Sequence, residues 1–418
     1  MAKESARRQN SSFGIRHLFV TGYFVPPGRI WDIRHSYVTM DGMKFEQLIV
    51  VLPCHSFHDF PMYHAGEDAD GLLACYSALW HPALIAHTEK MPTWRRNDDE
   101  DQELQNRLIV LPKVCQDDMP GYWLDNAREK GAFVIEGREA GGRAEIVEAA
   151  LAALGDQRPN VDSELVADFL ALGLAHLWTE VLTNQMRYSS LVDEDQFQTL
   201  LVAAAAVAVA GDAELARQKL TACFDCLAQS KDHFYPVDVF LLDLTLVADT
   251  TLGPELASEL ARNRPTNLLI SGDDLATIAG EHPATLAALR ASLEKGTLCL
   301  VGGETSAEFP IGLASADMLV EHLQSTGVRA YETVLGRRPK IYGQRSYGLS
   351  AVLPQVLNKL GFIGALHVSL DGGRSPHTYQ NMLQWEGLDG TSIAAFARVP
   401  LDAAAAATFL SLPQQMGE

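Results

Sequence analysis

Residues 267–304 read Asn267-Leu-Leu-Ile-Ser-Gly-Asp-Asp-Leu-Ala-Thr-Ile-Ala-Gly-Glu-His-Pro-Ala-Thr-Leu-Ala-Ala-Leu-Arg-Ala-Ser-Leu-Glu-Lys-Gly-Thr-Leu-Cys-Leu-Val-Gly-Gly-Glu304. Two short apolar runs, Asn267 to Ile270 and Thr297 to Val301, enclose helical sequence over Asp273 to Ile278 and Pro283 to Lys295. Ser271-Gly-Asp273 supplies a helix cap, and Gly296 sits just past Glu294-Lys295, where a helix ends. The runs are continuously apolar rather than alternating, as expected of parallel strands covered on both faces. Strand, helix, strand in succession, with right-handed crossovers, leaves a barrel or a doubly wound sheet.

The same alternation extends outward from this unit. Further strands are expected over residues 47–52, 107–111, 132–135, 237–243, 340–342, 363–368 and 392–396. Helices are expected over 72–87, 144–154, 163–183, 195–210, 212–229, 254–262, 316–335 and 350–360, with an Ala-rich helix at 402–410. Residues 160–230 break the rhythm, being almost wholly helical and rich in Ala and Leu, and predict a helical insertion in an α/β domain spanning 43–418. Residues 1–42 carry six basic and three acidic side chains, a charge of +3 that leaves −23 on the remainder. That basic start predicts an extension outside the fold, in a cytoplasmic protein.

Composition bounds the function. The chain has 418 residues, 47% apolar and 21% charged, with a formal net charge of −20. These values exclude a disordered or collagenous protein. The surplus of acids repels phosphate backbones and anionic lipid, so neither nucleic acid nor a membrane is an expected partner. The run Leu200 to Ala210 is too short to span a bilayer and reads as a buried helix. Six cysteines do not make a disulfide framework. Cys54, Cys75, Cys115 and Cys299 stand among apolar neighbours and are expected to be buried thiols. Cys223-Phe-Asp-Cys226 has a metal or redox spacing, but it lies in helical sequence with no second such pair.

Chemistry in a parallel α/β domain gathers at the carboxyl ends of strands. After the first strand, Cys54-His-Ser-Phe-His-Asp59 offers His55, His58 and Asp59, which are ligand types for a divalent cation; they are also residues that cap strands and begin turns. After Val301, paired glycines allow close backbone approach and carry Glu304 and Glu308 to the strand mouth. Further on come Gln344, Arg345, Ser346 and Tyr347, then Asp371, and then Trp385 and Asp389, with Trp385 a stacking surface for a sugar ring or simply a packed side chain.

The run Pro339-Lys-Ile-Tyr-Gly-Gln-Arg-Ser-Tyr-Gly-Leu-Ser-Ala-Val-Leu-Pro-Gln-Val-Leu-Asn-Lys-Leu-Gly-Phe362 resembles a segment of the family-38 glycoside hydrolases, the α-mannosidases. In outline that segment runs proline, short strand, Asp, Phe-Gly-x-Ser, Pro-Gln-hydrophobic-Leu, Lys-x-Gly. The helix and Gly-Gly strand end over 283–303 and the turn Trp385-Glu-Gly-Leu-Asp-Gly-Thr391 are similar to parts of the same family in the same order. The resemblance implies a (β/α)7-type barrel of the glycoside hydrolase and deacetylase kind, and zinc or another divalent cation. It further implies carbohydrate as partner and retaining hydrolysis by two carboxyl groups.

Three departures accompany it. Arg345 stands where the nucleophilic Asp is expected, and a guanidinium neither attacks an anomeric carbon nor ligates a cation. Phe57 stands where a ligand His is expected, leaving Asp59 in register with His55 or His58 as substitutes. The family's acid lies beyond the Trp-Glu-Gly turn, near which this sequence ends. The expectation is therefore an α-mannosidase-like protein that acts on or binds carbohydrate. Glu304, Glu308 and Arg345 are its candidate catalytic positions, and Tyr347, Asp371, Trp385 and Asp389 its candidate substrate contacts. A catalytically inactive carbohydrate-binding relative and a metal-dependent polysaccharide deacetylase are the alternatives.

Overall fold

The run Gln47-Leu-Ile-Val-Val-Leu52 forms a strand with one face in each of two cores, which is why it is apolar throughout. Leu48, Val50 and Leu52 enter one cluster, while Ile49 and Val51 enter another with Ile109, Leu111 and Trp123. Each fully buried aliphatic side chain contributes about 1.5–3 kcal/mol. The computed structural model describes residues 44–96, 103–137, 142–155, 159–187, 192–234, 243–262, 264–306, 309–344, 350–368, 382–398, 401–402 and 405–417. The chain divides into two compact units, Met1–Phe240 with Asp402–Glu418, and Leu241–Leu401.

In the first unit, β1 (Gln47–Leu52), β2 (Thr93–Arg96), β3 (Arg107–Leu111) and β4 (Phe133–Glu136) form a parallel sheet in the order β2-β1-β3-β4. The helices expected over 163–183, 195–210 and 212–229 run Ser163–Arg187, Glu194–Val209 and Ala213–Phe234. They are part of the sheet's own core: Phe169, Leu172, Phe197 and Leu220 pack in one cluster with Leu48 and Val50. Within the longest helix, Ser163–Gln185 is long and apolar enough to cross a membrane by length and composition, yet 67% of that window is buried inside the protein.

The second unit holds β5 (Leu244–Leu246), β6 (Thr266–Ile270), β7 (Leu298–Gly302), β8 (Ile341–Gln344), β9 (Gly364–Val368), β10 (Leu383–Glu386) and β11 (Ser392–Arg398). Their order is β10-β11-β9-β8-β7-β6-β5, parallel except for the β10–β11 pair. The architecture is thus mixed α/β with two parallel-stranded sheets, in agreement with the expected class; the ladders described belong to the two sheets separately.

Several local expectations are corrected. Thr93–Arg96 and Leu383–Glu386 are edge strands with half-buried or exposed positions, so neither shows the apolar run of a central strand. The helix expected over 72–87 is two, Gly66–Ala78 and Pro82–Thr88, parted where the His81 ring accepts from the Ala83 N–H ahead of Pro82. The last helix runs Ala406–Gly417 rather than ending at 410. Residues 237–242 of an expected strand lie outside the described residues, and β5 begins beyond them. Cys299 is exposed, on the one outward position of β7, whereas Cys54, Cys75, Cys115, Cys223 and Cys226 are buried free thiols. Burial pushes the Cys223 thiol up to about 12, which holds it as an inert thiol rather than a thiolate.

Candidate active site

Two glycines, Gly302 at the end of β7 and Gly303 after it, build the turn that follows. Gly302 and Gly303 have φ of +146° and +116°. A Cβ on Gly302 would lie 2.3 Å from the Tyr331 hydroxyl and 2.5 Å from the Ile270 carbonyl; one on Gly303 would lie 2.6 Å from the Phe362 ring. The fully buried Tyr331 hydroxyl donates to Ile270 O and accepts from Gly303 N at 3.1 Å, joining the carboxyl ends of β6 and β7. The first N–H groups of helix Gly272–Glu281 complete the join. Gly272 and Asp273 donate to the carbonyls of Glu304 and Thr305, each at 2.8 Å. Helix-end donors that lack intrahelical partners are thereby satisfied.

These contacts carry Glu304 into the interior, 2% exposed. Its Oε1 accepts from the Tyr342 hydroxyl of β8. Its Oε2 has no hydrogen-bond partner among the described residues and faces His322 Nε2, likewise unpartnered, at 3.8 Å. Burial raises the Glu304 carboxyl above its ordinary range, with His322 and Tyr342 pulling the other way. Burial, and then the Glu304 charge, hold the Tyr342 phenol well above its usual value, so it remains a donor.

His322 reaches this position through a π-helical stretch, Glu321–Val328, between helices Ala316–Val320 and Arg329–Leu335. Gly327 permits the approach, since a Cβ there would lie 2.2 Å from the Gly303 carbonyl. The carbonyl of His322 accepts from the hydroxyls of Thr305 at 2.9 Å and Thr326 at 3.0 Å. Its ring stacks on Phe309, centroids 3.7 Å apart. Such π-helical turns concentrate at functional sites.

Glu304, Ser271, Asp274 and Gln344 line one cavity at the carboxyl ends of β6–β8. Its interior leaves about 10 Å³ for the centre of a water-sized sphere, the space of one water. Asp274 Oδ2 accepts from Ser271 N at 3.0 Å and Ser271 Oγ at 2.7 Å, closing a capping box. Gln344 Nε2 donates to Phe309 O at 2.6 Å.

The other predicted positions fall elsewhere. Asp59 closes a capping box on the short 3-10 turn Phe57–Asp59: it accepts from His55 N at 3.0 Å, Ser56 N at 2.7 Å and Ser56 Oγ at 3.2 Å. Slight burial raises its carboxyl, but the Ser56 and His55 N–H groups outweigh that and lower it. His55, His58 and Asp59 are exposed. Among the described residues no group of three or more His, Cys, Asp or Glu side chains is arranged to hold a metal ion, so this donor set does not fit zinc.

Asp389 sits in the β10–β11 turn and accepts from Thr391 N at 3.0 Å and Thr391 Oγ1 at 2.9 Å, which holds its carboxyl low. Trp385 packs against the core that contains Tyr342 and Phe362. The turn precedes β11, whereas Glu304 follows β7, so the parallel register places them at opposite strand ends. Glu308, Arg345, Tyr347 and Asp371 lie outside the described residues.

Of the functional candidates, the sequence reading found Glu304 and missed Asp274, His322 and Tyr342. Asp274 lies one residue past the Ser271-Gly-Asp273 cap signal, Tyr342 shows as an apolar strand residue, and His322 as one position in a helix.

No protein-family model and no curated protein matches the chain. Among solved structures it is similar over part of its length to a 4-alpha-glucanotransferase from Thermococcus litoralis. That overlap has 18% identity and a TM-score of 0.28, over 34% of this chain and 22% of that one. A GH57-type branching enzyme from the hyperthermophilic archaeon Pyrococcus horikoshii overlaps at 12% identity and a TM-score of 0.21, over 86% of this chain and 47% of that one. The chain spans less than half the length of either protein. The likeness to family-38 glycoside hydrolases therefore stands on its motifs alone.

Proposed function

We propose that this chain is a carbohydrate-active, glycoside hydrolase-like protein of the (β/α)7-barrel kind, in which Glu304 is the proton-donating carboxyl. One observation carries the reading. At the carboxyl ends of parallel strands, a carboxyl that lines a cavity is buried, holds its proton above the usual range, and keeps one oxygen without a hydrogen-bond partner among the described residues. Glycoside hydrolysis needs such an acid to protonate the leaving oxygen, together with a second carboxylate. Asp274, on the same cavity, is the second carboxylate of this reading, held in place by hydrogen bonds from the Ser271 N–H and hydroxyl. Tyr342 fixes the Glu304 carboxyl plane through Oε1 and leaves Oε2 to act.

The family-38 motifs make an aryl α-mannoside the first substrate to assay, with aryl α-glucosides alongside. Turnover that Glu304→Gln reduces by two or more orders of magnitude supports the reading; turnover that the variant leaves intact contradicts it. A second reading, carbohydrate binding without hydrolysis, is favoured by the small size of the cavity beside Glu304, which has room for about one water. It predicts retention on a glycan affinity matrix with no turnover in either protein.

A further inference from the structure

Residues 336–340 read Gly-Arg-Arg-Pro-Lys, three cations without an acid, on a chain whose net charge is −20. Arg337 to Lys340 form one wall of a cleft of about 410 Å³ at the amino ends of β8 and β9, the strand ends away from Glu304. The opposite wall is apolar, with Val328 and Phe362 4% and 5% exposed and Leu360 beside them. That volume lies within the ~300–1,000 Å³ range of small-molecule sites.

The three cations differ in what holds them. Arg338 is ion-paired with Glu332. Arg337 donates from Nη1 to the Leu293 carbonyl at 3.0 Å, at the end of helix Pro283–Lys295, which fixes the guanidinium without neutralising it. Lys340 is exposed, and neither it nor Arg337 has a carboxylate partner among the described residues. Two positive charges thus meet at one cleft, one of them a pre-positioned planar fork suited to bidentate oxygen pairs.

From this geometry we infer that the cleft is a binding site for a tetrahedral oxyanion, inorganic phosphate or a phosphate ester. Arg337 and Lys340 balance its two charges, and Val328, Leu360 and Phe362 face the carrier when there is one. The cleft shares no lining residue with the Glu304 cavity, so this inference and the reading of Glu304 stand or fall separately.

Calorimetric titration of the full chain at low ionic strength tests it, with inorganic phosphate and a hexose 6-phosphate as probes and the unphosphorylated hexose as control. Saturable binding of either phosphate, weakened at least tenfold by Lys340→Glu and less by Arg337→Lys, supports the site. Inorganic phosphate binding as tightly as the ester assigns it to the free ion; tighter binding of the ester assigns it to a carried phosphate. Lack of saturation by both, or affinity unchanged in Lys340→Glu with the variant folded by circular dichroism, overturns it.

Discussion

Behind β1 and behind β7 the chain does the same thing in sequence and opposite things in structure. Each strand is a continuous apolar run, each ends in a turn, and each turn carries a carboxylate, Asp59 in the first unit and Glu304 in the second. Asp59 stays at the surface and accepts three hydrogen bonds from its own turn, which lower its pKa. Glu304 passes inward over two positive-φ glycines, accepts one hydrogen bond, from Tyr342, and keeps a bare oxygen facing His322, with its pKa raised. Asp59, exposed and satisfied by its own turn, does structural work. A carboxylate buried and half satisfied is free to exchange a proton, and perturbed groups of that kind gather at functional sites.

The contrast is broken most severely at Glu304. Glu304→Gln should lower glycoside turnover by ~10²–10⁴-fold, the worth of a positioned general acid. It should also change the pH response of the second unit. A carboxyl whose folded pKa is raised contributes stability that is fully present below its ordinary value of 4.5 and is lost as pH rises through the folded value. Wild type should therefore lose stability relative to Glu304→Gln between acid and neutral pH, read by urea denaturation at each pH.

Next comes the glycine turn that delivers Glu304. Gly302→Ala places a Cβ 2.3 Å from the Tyr331 hydroxyl at a φ of +146°. Overpacking and backbone strain together should cost about 3 kcal/mol or more in denaturant unfolding. An equal substitution at Gly211, at a φ of +88° but in open space, meets only the strain.

The first unit has its own titrating group, of opposite sign. His176 is buried between Trp80 and Phe197, and burial lowers its pKa from 6.5 to about 4. A base with a depressed folded pKa contributes stability that is present above 6.5 and is lost as pH falls toward 4. His176→Leu should spare the first unit on the order of 3 kcal/mol of acid loss at pH 4, seen as a flatter stability profile below neutrality.

Smallest is the cap. Asp59→Ala should cost about 1 kcal/mol, the usual worth of a capping side chain, and leave turnover unchanged. Loss of turnover with the fold intact would restore Asp59 to the chemistry.

What the sequence could and could not disclose follows from the range of each interaction. Apolar runs such as Gln47–Leu52 and Asn267–Ile270 and caps such as Ser271-Gly-Asp273 are local, so the central strands and most helices were legible. The edge strands Thr93–Arg96 and Leu383–Glu386 were not, because half their surface faces solvent and polar residues serve there as well. At the site, the Gly302-Gly303 pair announced a close approach and pointed to Glu304. His322, Tyr342 and Asp274 reach it from three other elements, 18, 38 and 30 residues away in number, and only the fold brings them together. Asp59 as a metal ligand and Asp389 as a substrate contact were plausible by type; their hydrogen bonds to neighbours within four residues are turn chemistry, which residue type alone does not separate from binding.

Glu304 holds its proton because the fold buries it. A ¹³C NMR titration of its side-chain carboxyl, assigned with Glu304→Gln and repeated in Tyr342→Phe, measures that directly. The expected midpoint lies above 4.5 in the wild-type chain and higher still when the Tyr342 hydroxyl is removed. A midpoint at or below 4.5, unmoved by Tyr342→Phe, would contradict it.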